Sequence, residues 1–206
     1  MKIKIPNDFF YNGGRKIKKI GGEQGFALYC LITVLKNVNN NVYITTNGLN
    51  NLLRLDKNAF RGRKKVSELL LKLKVGKLID FSGAIPDSGN TFFTIKWINK
   101  FADKSTTGWT FFTGSDWSYF DELGITTYSV MWLIRMFTNH KSQTSFVSYR
   151  NMADILDKGV SSVISSVNEL EDKGYIEVER SDGYFYNAQI DKEVKLNNTY
   201  RWIGRR

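Results

Sequence analysis

The stretch DKNAFRGRKKVSELLLKLKVGKLIDF, residues 56–81, carries the pattern that decides the fold of the first half of the chain. A helix over residues 57–73 is predicted, because a rotation of about 100° per residue gathers its apolar and small side chains into one stripe. The stripe should face the core and contains Ala59, Gly62, Val66, Leu69, Leu70 and Leu73. The opposite face carries Lys57, Arg61, Lys64, Lys65, Glu68 and Lys72. Gly76 should end the helix, and residues 78–81 have the composition of a strand.

The segments around this helix occur twice in the chain. Residues 26–37, FALYCLITVLKN, align with residues 128–139, YSVMWLIRMFTN, at a shift of 102, and both predict a buried helix. In each copy a short strand-like run follows, and then a brief second helix with Thr46 or Ser148 as the candidate N-cap. The tripeptide Leu-Asp-Lys comes next at 55–57 and 156–158, and a third helix follows it.

Each third helix leads through a glycine into a strand and a turn, at residues 85–90 in the first copy and 181–183 in the second. Helix, strand, helix, helix and hairpin, in that order, is the arrangement of the winged helix-turn-helix. The sequence therefore predicts an α+β fold with two tandem winged helix-turn-helix domains. We place them at residues 1–103 and 104–196, with a basic tail at 197–206.

The charge is unevenly divided between the two copies. The chain has a net charge of +10 and a pI near 9.6. Residues 1–105 hold 19 Lys+Arg against 7 Asp+Glu, a net +12, and the remainder holds 11 against 13, a net −2. A basic helix face is often only a solvated surface, but a positive field confined to one domain favours a polyanionic partner. The candidate DNA contacts that charge indicates are Lys57, Arg61, Lys64 and Lys65 on the third helix, with Lys16, Lys18 and Lys19 from the flank.

The third helix of the second copy is less basic. Its predicted core residues are Val160, Val163, Ile164, Val167 and Leu170, and its predicted free residues are Lys158, Ser162, Ser165, Ser166 and Glu169. Lys158, Ser162 and Ser165 are the candidate DNA contacts, since lysine and serine can donate to phosphates or base edges. Three alternatives stay open for this helix, namely weak DNA binding, a surface for dimerisation or partner docking, and serines that are merely exposed.

The opening residues 2–37, KIKIPNDFFYNGGRKIKKIGGEQGFALYCLITVLKN, resemble the N-terminal winged-helix domain of phage replisome organisers and their primosomal DnaD-like relatives. The resemblance covers roughly residues 1–80. It implies DNA contacts in the hairpin around residues 87–90 and at the front of the third helix, namely at Lys57, Asn58, Arg61, Lys64 and Lys65. A second winged helix follows in place of a region that binds a helicase loader, which looks more like the tandem winged-helix plasmid replication initiators. Both families imply recognition of a replication origin.

The residue inventory argues against catalysis. With one histidine, His140, and one cysteine, Cys30, the chain offers no zinc finger or Cys/His metal cluster, and no phosphate-loop spacing is present. We therefore expect no enzyme activity and no cofactor. A lone buried cysteine and the lack of a long apolar run predict a cytoplasmic protein that does not bind a membrane.

The sequence thus predicts a sequence-specific double-stranded DNA-binding protein, most plausibly a phage or plasmid replication initiator or replisome organiser. A homodimer is expected, with replication proteins such as a helicase or its loader as further partners. One alternative is a transcriptional or plasmid-maintenance regulator, and another is a winged-helix protein-interaction module. A third alternative, base stacking with single-stranded nucleic acid, rests on the aromatic residues between 97 and 119. Such residues more often bury an interface.

Overall fold

A computed structural model describes residues 2–98, 109–139, 141–187, 192–195 and 197–203, and every structural statement below refers to these. The chain divides into two compact units, Met1–Ile125 and Thr126–Arg206, which are treated separately. Both combine helices with small antiparallel sheets, as predicted for an α+β protein.

The first unit begins with a strand and holds the basic third helix. Its elements are β1 (Lys2–Pro6), a 3-10 helix (Asn7–Phe9), α1 (Tyr11–Lys19), α2 (Gly22–Leu35), β2 (Asn41–Ile44), α3 (Thr46–Leu53), α4 (Ala59–Val75), β3 (Ile79–Asp80), β4 (Phe93–Trp97) and β5 (Trp109–Thr113). A last helix, α5 (Gly114–Phe137), is broken at Gly124, whose φ of 70° and ψ of 175° are not helical. The break lies next to the boundary between the units.

The second unit repeats much of this order. After the second part of α5 come β6 (Thr144–Ser145), α6 (Tyr149–Leu156), α7 (Val160–Asp172), β7 (Ile176–Glu179), β8 (Tyr184–Asn187), β9 (Lys192–Lys195) and β10 (Thr199–Trp202). The predicted buried helices are confirmed in both units, because residues 26–33 of α2 and 128–134 of α5 are buried.

The ends of the units differ from the sequence-based boundaries. β5 pairs with β1 in antiparallel register, Lys2 opposite Thr113 and Pro6 opposite Trp109, so residues 109–113 belong to the first unit and not to a domain that starts at 104. Residues 199–202 do not belong to a separate tail either, because they form β10, which pairs with both β6 and β7. Residues 204–206 lie outside the described part of the chain.

Each unit contains a three-stranded antiparallel sheet, in the order β2-β4-β3 and β6-β10-β7. The predicted hairpin of the first copy is confirmed, since β3 pairs with β4 across residues 81–92. The predicted turn at 181–183 does not join β7 to its partner, because that partner is β10 and the intervening strands β8 and β9 pair with each other.

One repeated asparagine has the same structural role in both units. Asn37 Oδ1 accepts the backbone N–H of Asn39 at 2.9 Å, and Asn139 Oδ1 accepts that of Lys141 at 2.8 Å. Each asparagine also donates its own backbone N–H to the first strand of its sheet. The identity that the repeat alignment finds at this position therefore marks the turn from buried helix to strand.

The third helices end alike but begin differently. In both, a backbone N–H of the next segment returns to the helix, Leu78 to Leu73 at 3.0 Å and Tyr175 to Leu170 at 2.9 Å. The two helices align from this shared end at a shift of 97 residues. At this shift their buried residues coincide: Val66, Leu69, Leu70 and Leu73 with Val163, Ser166, Val167 and Leu170. Since α4 has 17 residues and α7 has 13, α4 carries about one additional N-terminal turn, residues 59–62.

A buried amide fixes where this additional turn begins. Asn50, only 4% exposed, donates from Nδ2 to the carbonyl of Asp56 at 3.0 Å and accepts the N–H of Asp56 on Oδ1 at 3.2 Å. A Cβ on Gly62 would lie 2.2 Å from that same Oδ1. Asn50 therefore closes the loop between α3 and α4, and only glycine at 62 leaves room for its side chain.

The helix boundaries correct two details of the repeat. The second helix is capped by Thr45 and not by Thr46, because Thr45 Oγ1 accepts the N–H of Gly48 at 2.9 Å, whereas the predicted Ser148 cap is confirmed. The Leu-Asp-Lys tripeptides are not equivalent: 55–57 lie beyond the C-cap of α3, and 156–158 span the C-cap of α6.

We predict that Gly62→Ala lowers the free energy of unfolding of the first unit by about 2 kcal/mol, because its Cβ meets the Asn50 amide. Asn50→Ala alone should cost about 1–3 kcal/mol, since it leaves the partly buried N–H and carbonyl of Asp56 without that amide. In the double variant the clash is absent. Its loss of stability should therefore be about 1 kcal/mol smaller than the sum of the losses in the two single variants. Denaturant unfolding of the four chains measures this.

The matched glycine control is Gly114→Ala, because a Cβ there has no atom within 4 Å. It should change stability by less than about 0.5 kcal/mol. Additive losses in the double variant would contradict the contact between Asn50 and Gly62.

Candidate nucleic-acid interface

The basic helix starts two residues later than predicted. Asn58 is its N-cap, with Oδ1 accepting the N–H of Arg61 at 3.1 Å, and Asp56 Oδ1 in turn accepts the N–H of Asn58 at 2.8 Å. Lys57 is exposed in the loop before the helix. Because the side-chain oxygen of Asn58 is used in capping, its amide nitrogen is the group that this residue can offer as a donor.

Arg61 is exposed but oriented. Its Nε lies 3.3 Å from Asp56 Oδ2, while 72% of its side-chain surface stays accessible. An exposed pair of this kind adds little stability, yet it aims the guanidinium. The terminal guanidinium nitrogens remain accessible donors, the groups that bind phosphate oxygens or the O6 and N7 of guanine.

Lys64 and Lys65 complete the predicted set on α4. Lys64 is exposed and Lys65 is half-buried. Behind them the predicted core residues Gly62, Val66, Leu69, Leu70 and Leu73 are buried. Ala59 was predicted in the core and is exposed instead, because it lies in the additional turn. The structure thus brings Lys57, Arg61, Lys64 and Lys65 together at the beginning of α4.

Phe60 was missed by the sequence analysis. It is 68% exposed on the additional turn of α4, and the Arg63 guanidinium carbon lies 5.8 Å from its ring centre. The sequence contained a sign of this, because Phe60 precedes Lys64 by one helical turn and so shares the exposed side with it. The prediction for this stretch relied on its charged residues and gave Phe60 no role.

The loop between β3 and β4 packs back on the helices. Asn47 of α3 donates its backbone N–H to the carbonyl of Gly89 at 3.0 Å and its side-chain amide to Asn90 Oδ1 at 2.8 Å. A Cβ on Gly89 would lie 2.3 Å from Cδ of Arg63, so glycine allows the close approach. A groove of about 580 Å³ separates α4 from residues 81–87, and Phe60, Arg63, Lys64, Leu71, Lys74 and Ile85 are among its lining residues.

The lysines of α1 lie elsewhere on the first unit. Lys16, Lys18 and Lys19 are exposed, as predicted, around the buried Ile17. The end of α1 adjoins the second half of α4, since a Cβ on Gly21 would lie 2.4 Å from Leu69. Along the helix axis this is about 15 Å from the start of α4, so these lysines do not belong to the cluster around Arg61.

The free face of α7 differs from its prediction. Lys158, Ser162 and Ser165 are exposed, as expected. Val160 and Ile164, predicted in the core, are 42% and 37% exposed, and Ser166, predicted to be free, is buried. The difference arises because the buried side of α7 follows Val163, Val167 and Leu170, which places position 166 inward and position 164 outward.

A small polar network explains the buried serine. The Thr127 hydroxyl lies 3.1 Å from Ser166 Oγ and donates to Glu169 Oε2 at 2.7 Å, and Lys173 Nζ lies 2.8 Å from Glu169 Oε1. Burial raises the pKa of Glu169, but the hydrogen bonds from Lys173 and Thr127 outweigh this, and the pKa lies below its ordinary value. Glu169 therefore serves the packing of α7 on the second unit.

The units differ in charge as well. Residues 1–125 hold 19 Lys+Arg against 10 Asp+Glu, a net +9, whereas residues 126–206 hold 11 against 10, a net +1. At the shift that superposes the buried residues, Lys64 and Lys65 of α4 correspond to Ser161 and Ser162 of α7. The positive field belongs to the first unit.

The aromatic residues near the end of the first unit are mostly packed. Trp97 and Phe112 are buried, and the ring of Trp117 stacks on Phe120 with centres 4.5 Å apart. This packing gives them a role in the core of the unit and offers few open ring faces for bases.

Other kinds of site find little support in the described residues. Among them no group of three or more His, Cys, Asp or Glu residues could hold a metal ion, and His140 lies outside them. None of the helices that could be searched has the length and hydropathy needed to cross a membrane.

Of the comparisons with known proteins, one gives a match, and it covers part of the second unit. Residues 126–176 match the family model described as "Helix-turn-helix domain", a segment that runs from the second part of α5 to the start of β7. No curated protein and no solved structure matches the chain. The chain thus contains a helix-turn-helix domain, which suggests DNA as a partner.

We predict that acid destabilises the second unit partly through Glu169. A carboxylate with a lowered folded-state pKa contributes stability that is present above its unfolded value, about 4.3, and is lost as the pH falls through the folded value. Glu169→Gln should therefore be less stable than the parent chain at pH 7, and this difference should shrink as the pH falls below about 4. Thermal melting of both chains between pH 7 and 3 measures this.

The control is Glu179→Gln, which removes an exposed carboxylate of the same unit. A stability difference for Glu169→Gln that stays constant across this pH range would contradict the network.

Proposed function

We propose that this chain is a sequence-specific double-stranded DNA-binding protein built from two tandem winged helix-turn-helix domains. In this proposal α4 lies in the major groove with its first turns against the bases, and the loop of residues 81–92 approaches the neighbouring backbone as the wing. The protein acts without enzymatic chemistry and without a cofactor.

The observation that carries the proposal is the start of α4. Lys57, Arg61 and Lys64 are exposed there, while Leu69, Leu70 and Leu73 are buried on the other side of the same helix. This arrangement presents donors to a polyanion without exposing the core, and it occurs in the unit with a net charge of +9.

The second unit contributes differently in this proposal. It matches the helix-turn-helix family, but its charge is near zero and its third helix presents Ser162 and Ser165 with a single preceding lysine, Lys158. We propose that it reads an adjacent half-site with low affinity or forms the interface of a homodimer. The exposed Val160 and Ile164 favour the interface.

The biological role that we propose is initiation of replication, as an origin-binding initiator or replisome organiser of a phage or plasmid. Its support is the resemblance of residues 1–80, and a helicase or its loader would be a further partner. The second candidate is a transcriptional or plasmid-maintenance regulator, which would use the same DNA contacts. If the winged helices served only to dock proteins, DNA affinity would be weak and little affected by salt.

Selection of bound duplexes from a random pool tests the proposal first. We predict that the full chain enriches a defined site, and that it binds this duplex at least about a hundredfold tighter than either of its single strands of equal length. Enrichment of no site would contradict sequence-specific binding. Tighter binding of a single strand would support the base-stacking alternative.

The dependence of affinity on salt tests the contact surface. Neutralisation of about five phosphates should give a slope near −4 to −5 in a plot of log affinity against log salt concentration. Arg61→Ala and Lys64→Ala should each flatten the slope by about one unit, because each removes one cation from the exposed face of α4. Fluorescence anisotropy with the selected duplex between 50 and 300 mM salt, about the usual working range, measures the slope.

The matched charge control is Lys141→Ala, an exposed lysine of the second unit. Its slope should stay within about 0.3 of the parent chain. If all three variants flatten the slope equally, the effect belongs to net charge and not to α4.

A further inference from the structure

The additional turn of α4 is the part of this helix that α7 lacks. Of its four residues, Ala59, Phe60 and Arg61 are exposed and Gly62 is buried against Asn50. The additional turn of the first unit therefore exposes one small apolar, one large apolar and one cationic side chain. Lysines and arginines alone would suffice for phosphate binding, so the exposed Phe60 calls for a different contact.

Phe60 lies on the same exposed side of the helix as the cations. It precedes Lys64 by four residues, and a step of about 100° per residue puts Lys64 between the directions of Phe60 and Arg61. A surface that receives Arg61 and Lys64 must therefore also receive the ring of Phe60. Because the ring is 68% exposed in the free protein, its burial in a complex would remove a large apolar area from water.

One cation lies near the ring in the free protein. The Arg63 guanidinium carbon lies 5.8 Å from its centre, and Arg63 is itself packed against the loop at Gly89. An exposed contact of this kind is worth about 0.5–1 kcal/mol, so it favours one position of the ring without fixing it. Most of the ring stays open to solvent.

The chemistry of the major groove indicates which group of the DNA the Phe60 ring contacts. Among the base-edge groups in that groove, the C5-methyl of thymine is the apolar one, and alanine and phenylalanine side chains pair with it. The outer surface of α4 offers such apolar groups only in this additional turn and, further along the helix, at Leu71 and Val75. Residues near the helix start are the ones that contact base edges in this class of fold.

Building on the proposed function, we propose that Phe60 reads the C5-methyl group of thymine in the DNA site. The site then contains a thymine beside the phosphates or guanine that Arg61 and Lys64 contact. Phe60 is a specificity-determining residue in this arrangement, and the cations supply the affinity.

The test removes the methyl group from the DNA and leaves the protein unchanged. Each thymine of the selected duplex is replaced in turn by deoxyuridine, which keeps the base pair and its hydrogen bonds. For the parent chain we expect one or two positions at which this replacement weakens binding about fourfold, the effect of one methyl group leaving an apolar contact. For Phe60→Ala the same replacements should have no effect, and Phe60→Leu should keep part of the sensitivity.

Two controls distinguish loss of the thymine contact from a general effect of removing an exposed phenylalanine and from loss of folding. Phe146→Ala removes an exposed phenylalanine of the second unit and should retain the full sensitivity to deoxyuridine. Circular dichroism and thermal melting of Phe60→Ala should match the parent chain, because the ring is largely outside the core.

The outcomes also separate this inference from the function on which it rests. If the selection enriches no site, the proposed function fails and the inference fails with it. A defined site that lacks thymine, shows no sensitivity to deoxyuridine, or keeps its sensitivity in Phe60→Ala overturns the thymine contact alone.

Discussion

The buried amide of Asn50 sets the geometry at which the basic helix of the first unit begins. It joins α3 to the backbone of Asp56, and it occupies the space that a side chain at position 62 would need. Since Asp56 then accepts the N–H of Asn58 and pairs with Arg61, one buried polar residue sets the cap, the start and the first outward-facing cation of α4. A satisfied buried amide of this kind fixes one geometry where apolar packing alone would tolerate several.

The two units show what this constraint adds to a shared arrangement. Both enter their sheets through an asparagine turn, and both end their third helix with the same backbone return. The first unit alone has the additional helical turn, and it holds nearly all of the excess positive charge. The second unit places serines where the first has lysines and matches the helix-turn-helix family. This asymmetry is the reason that we propose different roles for the two units.

The sequence predicted the features that depend on local periodicity. The buried stripe of α4 from Gly62 to Leu73, the buried helices at 26–33 and 128–134 and the Ser148 cap follow from spacing and turn chemistry. The pairing of β1 with β5 was missed, because it joins segments about a hundred residues apart and leaves no local pattern. The start of α4 was misplaced because it depends on Asn50, and Ser166 was misassigned because its hydroxyl contacts Thr127, which is distant in sequence.

The central claim is that the start of α4 meets duplex DNA, and lysine reactivity tests it most directly. The full chain is acetylated with and without its selected duplex, and the modified lysines are quantified by mass spectrometry. The account predicts that the duplex protects Lys57 and Lys64 severalfold, while the exposed Lys96 and Lys141 react at unchanged rates. Equal modification of Lys57 and Lys64 in the free and bound chain, at a duplex concentration that saturates binding, would contradict it.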